Sequence, residues 1–101
     1  MKHAGAFALG VLSDVLEKLS ARTALIERRP GIFYVHGRAF LHFHEDRAGI
    51  YADLRHRNEW LRLPVNSATE RTTLLAAVDD CLSEGASRAK SRQAGSKVQR
   101  D

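Results

Sequence analysis

The sequence predicts an α+β fold: one antiparallel meander of four to five strands, with an N-terminal and a C-terminal helix packed on one face. Three observations carry this. A leucine stripe at helical spacing lies near each end of the ordered stretch, apolar and polar residues alternate through the middle, and short turn signals interrupt that alternation. With 101 residues, the chain has material for one core and not for two.

The first helix is read over residues 8–20. Leu12, Leu16 and Leu19 fall on one stripe with Val15 beside it, and Asp14 and Glu17 suit the start of a helix. Residues 23–27, TALIE, read as a short extended segment, with continued helix as the alternative. The RRPG that follows forces a turn, because Pro30 restricts Arg29 and has no N–H to donate.

The strands come next. IFYV and RAFLHFH are separated by His36-Gly37, a two-residue hairpin signal that sets Val35 against Arg38 and Phe33 against Phe40. EDRAG joins FLHFH to IYADLR through Gly49, and the turn HRN leads to EWLRLPV, where Pro64 marks a strand end. Alternation then places Ala39, Leu41, Phe43, Ile50, Ala52, Leu54, Leu61 and Leu63 on a core face. The opposite face carries Phe40, His42, His44, Tyr51, Asp53, Arg55, Trp60 and Arg62, and the chain has nothing left to cover it.

The last helix begins at a capping box, Ser67-Ala-Thr-Glu70, and buries Leu74, Leu75, Val78 and Leu82, with Gly85 as its stop. Cys81 flanks that stripe and reads as a small core residue. Being the only cysteine, it excludes an intramolecular disulfide and a cysteine-based zinc site. Residues 1–84 form the domain. Residues 85–101 are poor in large apolar side chains and are expected to form a disordered basic tail bearing Arg88, Lys90, Arg92, Lys97 and Arg100.

Charge follows the same boundary. The formal net charge is +4, yet residues 1–84 hold 11 Lys/Arg and 11 Asp/Glu, so the excess belongs to the tail. The apolar run AGAFALGVL is too short to span a bilayer, and no small-x-small cleavage site follows it before DVLEKL. A cytoplasmic location and no membrane partner are therefore expected.

Three chemistries compete for the open face. In FLHFHED, His42 and His44 share one side of a strand about 7 Å apart. With Asp46, Asp53 or Glu45 as a third ligand they would hold a divalent metal such as zinc or iron. His42 is expected opposite Tyr51, with Asp53 one step along. Phe40, Tyr51 and Trp60 between Arg55 and Arg62 would alternatively stack nucleic-acid bases, aided by the basic tail. The third use is a homodimer interface, since the simplest cover for an aromatic face is a second copy of it. No serine lies in a nucleophile elbow, and no glycine-rich phosphate loop is present.

Residues 33–46 (FYVHGRAFLHFHED), 49–55 (GIYADLR) and 62–65 (RLPV) together resemble a small bacterial α+β domain family labelled luciferase-like. The resemblance spans about half the chain, and His42, His44 and Asp46 are its most specific part. Gly37-Arg38-x-Phe40 is similar to the YjbR/MmcQ-like proteins, a meander packed with helices and discussed as DNA-binding. Neither resemblance implies a particular catalytic residue. The expected function is a binding or accessory module, homodimeric through the open face; a metal-dependent enzyme and a nucleic-acid binder are the alternatives.

Overall fold

The computed structural model describes the backbone of residues 2–98 and the side chains as far as Glu84. Its strands are β1 (Lys2–His3), β2 (Ile26–Arg29), β3 (Ile32–Val35), β4 (Arg38–Asp46), β5 (Gly49–His56) and β6 (Glu59–Pro64); its helices are α1 (Ala6–Val11), α2 (Ser13–Ser20) and α3 (Ala68–Val98). All pairings are antiparallel, in the order β2-β3-β4-β5-β6, with β1 on β4. The α+β class and the helices at both ends are as the sequence predicts. The sheet has one strand more than the predicted upper figure.

That extra strand explains how the sheet is completed. β4 is nine residues long, but β3 pairs with it only as far as His42. Beyond that point the N-terminus takes the vacated edge: Lys2 pairs with Glu45 and His3 with His44, and the Ala4 N–H donates to the Phe43 carbonyl at 3.0 Å. Backbone groups that would otherwise lack partners are thereby satisfied.

Each tight turn has its own chemistry. Pro30-Gly31 links β2 to β3, with Gly31 at φ 77°, the left-handed region that a type II turn requires at its third residue. A Cβ at Gly31 would also lie 2.8 Å from the Leu9 side chain. His36-Gly37 and Arg57-Asn58 form two-residue hairpin loops with both residues at positive φ. This geometry matches the right-handed strand twist.

Helices cover one face only. Leu12, Val15 and Leu19 pack with Phe33, Leu41, Phe43, Ala52, Leu54, Val65, Leu74 and Val78, all buried. The predicted helix over 8–20 is two helices that meet at Leu12, whose φ of −91° and ψ of 7° leave the helical region while its side chain stays fully buried. Ser67 and Glu70 form the expected capping box: the Glu70 N–H donates to Ser67 Oγ, and Glu70 Oε1 accepts from the Ser67 N–H, both at 3.1 Å. Arg22 ties α2 to α3 by a two-bond fork on Asp79, at 2.7 and 2.9 Å. Cys81 is half-buried against the core, as expected of a small packing residue.

The α3 backbone continues through Gly85 to Val98, so that glycine does not end the helix. The expectation of a disordered basic tail falls largely outside what is described: the side chains of Arg88, Lys90, Arg92 and Lys97 and the whole of Arg100 lie beyond the described set. Among the described residues, no helix is long and apolar enough to cross a membrane.

Two bulges alter the register. Phe33 pairs with Leu41 and Tyr34 with Ala39, leaving Phe40 as the extra residue on β4. Phe40 therefore does not join the open face. It is only 8% exposed, beside Leu41 in the core. Ala39, expected in the core, turns to the other side, where it lines a groove with Tyr34 and His42. Leu61 also departs from the predicted core row: β6 is an edge strand, and Leu61 is 41% exposed.

Candidate metal centre on the open sheet face

Four strands build the site. β4 presents His42 and His44, and β1 adds His3 directly opposite His44. β5 sets Asp53 opposite His42, and β6 sets Arg62 opposite Asp53. The predicted register, with His42 facing Tyr51, is corrected by one pair; Tyr51 faces His44. The difference arises at the turn, which closes at Asp46 and Gly49 around the two residues Arg47-Ala48.

One donor atom from each of His3, His42 and His44 lies within 4.8 Å of the others. Cross-strand neighbours at about 5 Å and same-face neighbours at about 7 Å converge this way when their side chains lean together. The rings are in contact: His42 and His44 have centroids 4.7 Å apart at 79°, and His3 and His44 4.9 Å apart at 31°. His42 Nδ1 lies 2.7 Å from His44 Nε2, so one proton is shared along that line.

Asp53 places a carboxylate charge beside His44. Its Oδ2 is 3.1 Å from His44 Nε2, a contact that acts through charge and is not a hydrogen bond. Nδ1 of His44 is buried, and the Lys2 backbone beside the ring favours its protonated form. Asp53 is 6% exposed and is satisfied by a guanidinium fork, with Arg62 Nε to Oδ1 at 2.7 Å and Nη2 to Oδ2 at 2.8 Å. That fork holds the Asp53 carboxyl below its usual range against the opposing effect of burial. Burial pushes His42 and His44 below the ordinary imidazole value; for His42 the neighbouring His44 adds to the shift, and for both Asp53 opposes it.

A pH dependence follows with a definite sign. His42 and His44 bind protons more weakly in the folded chain than in the unfolded one, so folding stability is fully present above the ordinary value of 6.5 and declines as pH falls through it. Asp53 acts lower down: its contribution is present above 3.8 and is lost as pH falls through its depressed folded value. The urea midpoint of metal-free protein should drop between pH 7 and pH 5, and this drop should shrink in a His42→Gln/His44→Gln double variant. An unchanged slope in that variant would place the titration elsewhere.

The other expected ligands are engaged differently. Asp46 Oδ1 accepts from the Ala48 N–H at 2.8 Å, which commits it to the hairpin turn. Glu45 accepts from the Gly5 N–H, and alternation puts it on the opposite side of β4. Asp53 lies beside the histidines, with both carboxylate oxygens already held by Arg62.

The remaining open-face residues surround the cluster. Trp60 packs on His42 with centroids 4.6 Å apart, and Arg55 lies 4.4 Å over the Trp60 ring. Arg55 Nε also donates at 2.7 Å to the carbonyl of Ala39, beside the Phe40 bulge. His3 is the candidate ligand that the sequence pattern does not reveal. A two-residue strand has no periodicity to reveal it, and the only available signal was a third histidine near a chain whose β4 edge is otherwise incomplete.

Comparison with protein-family models, with curated proteins and with solved structures found no match.

Proposed function

We propose that this domain binds one divalent transition-metal ion through His3, His42 and His44. The observation that carries the reading is the convergence of three imidazole donors within 4.8 Å. Two ligands on a tetrahedral metal stand about 3.4 Å apart at metal–nitrogen distances near 2.1 Å. The 2.7 Å approach of His42 to His44 therefore has to open slightly and His3 has to close in, which side-chain rotation provides. Burial depresses the proton affinity of His42 and His44, so both are neutral and ready to coordinate at pH 7.

Imidazole donors favour zinc, copper, nickel and iron over magnesium or calcium. Asp53 adds a negative charge 3.1 Å from His44 Nε2, which favours a cation bound at these rings. Three protein donors leave a coordination position open, as catalytic rather than purely structural zinc sites do.

The two other expected uses of the face drew on its aromatic residues. With Phe40 buried, Trp60 occupied by Arg55 and His42, and Arg62 neutralised by Asp53, the face offers less for a second copy or for nucleic-acid bases to stack on. Titration of zinc into chelator-treated, untagged full-length protein should give one equivalent per chain, and His3→Ala should abolish stoichiometric binding while circular dichroism stays unchanged. Absence of saturable binding, or a His3→Ala variant that binds like the wild type, would remove the proposal.

A further inference from the structure

A groove of about 470 Å³ opens beside the histidines, and its far end is cationic. Adjacent residues on a regular strand point to opposite faces, yet Arg28 and Arg29 both line this one groove. The reason is the second bulge. Glu27 pairs with Phe33 and Arg29 with Ile32, so Arg28 is an extra residue that the ladder does not accommodate. The bulge at Phe40 acts in concert with it. By turning Phe40 into the core, it brings the small Ala39 to the groove floor, next to His42 and across from Tyr34.

The groove's electrostatics follow from its lining. No acidic side chain contributes to it. Glu27 faces elsewhere, with its Oε2 accepting from the Gly31 N–H at 2.9 Å. Neither Arg28 nor Arg29 has a carboxylate partner among the described residues. Arg28 instead lies 4.6 Å over the Tyr34 ring, which steadies its guanidinium plane without neutralising it. Two uncompensated guanidiniums at one end and two imidazoles of the proposed metal centre, His3 and His42, at the other leave an apolar floor between them.

We infer that this groove binds a small organic oxyanion, a carboxylate or a phosphate ester, held through its anionic group by Arg28 and Arg29, with the rest of the molecule lying along the apolar floor toward the open coordination position of the metal. The part played by the metal rests on the reading given above; the part played by the arginines does not. Arginine recognises both anions through the same forked geometry, and a volume of this size suits a ligand of small-molecule dimensions.

The test uses full-length protein and phenyl phosphate, with benzoate as a second probe, titrated at low salt into zinc-loaded and chelator-treated samples. Saturable binding is expected in the zinc-loaded sample, weaker in the chelator-treated one. Arg28→Gln/Arg29→Gln should weaken binding by about tenfold or more, the loss of at least one charge-assisted contact, while zinc stoichiometry stays at one. His3→Ala should lose zinc yet keep the arginine-dependent part of anion binding. If zinc binds but neither anion saturates below roughly 10 mM, or if the double arginine variant binds like the wild type, the groove proposal fails and the metal centre stands. If zinc does not bind but the arginine-dependent affinity is present, the metal reading fails and the anion site stands without it.

Discussion

Replacing His44 by alanine is expected to weaken zinc binding by more than the roughly 10–100-fold that loss of a supporting partner costs, while leaving the fold intact. Asp53→Asn should fall within that 10–100-fold range. The ordering follows from position. His44 supplies a donor and is the ring that both His3 and His42 touch, so its removal leaves two donors on separate strands. Asp53 supplies no donor; its carboxylate stands 3.1 Å from Nε2 of His44 and acts on the site through its charge. The fold should survive His44→Ala because Asp53 keeps both bonds to Arg62, so no buried carboxylate is left alone. Competition titration against a chromophoric chelator gives both affinities, and circular dichroism checks the fold. Equal losses in the two variants would show that Asp53 is itself a ligand and that the division of roles drawn here is wrong.

Phe40→Ala should cost about 3–5 kcal/mol of stability, the range for truncating a buried phenylalanine. Strand alternation alone assigns Phe40 to the uncovered face, where a substitution would stay within about 0.5 kcal/mol. The structure places it in the core cluster at 8% exposure, because the bulge sets it and Leu41 on the same side. A loss of that size is a large fraction of the roughly 5–15 kcal/mol that stabilises a domain. Urea unfolding decides between the two placements, and a midpoint close to wild type would mean that residue 40 faces solvent. Arg55 should feel the same change, since its bond to the Ala39 carbonyl depends on the bulge staying formed.

The elements that sequence could reveal are those with a local signal. The capping box at Ser67 and Glu70 was legible because both partners lie within one helical turn, and the loop at His36-Gly37 because a two-residue hairpin favours glycine at positive φ; the turn read at HRN closes on Arg57-Asn58, with His56 paired in the strand. Two of the three proposed ligands, His42 and His44, were legible from strand alternation. Asp46 was equally plausible at the level of spacing, and only the turn geometry shows its carboxylate engaged with Ala48. His3 lies 39 residues from His42 in the chain, and no pattern short enough to read joins them.

By itself, then, the sequence determined the α+β class, most strand positions, the helices at both ends and the side of β4 on which imidazoles would stand. These depend on side-chain periodicity and turn chemistry, which act over a few residues. Tertiary structure decided where β1 docks, which residues the two bulges displace, and hence that a third histidine and two arginines reach the same face. Those outcomes depend on pairing between distant segments, where the unpaired edge of β4 and the space available to Phe40 in the core select a register that local alternation leaves open.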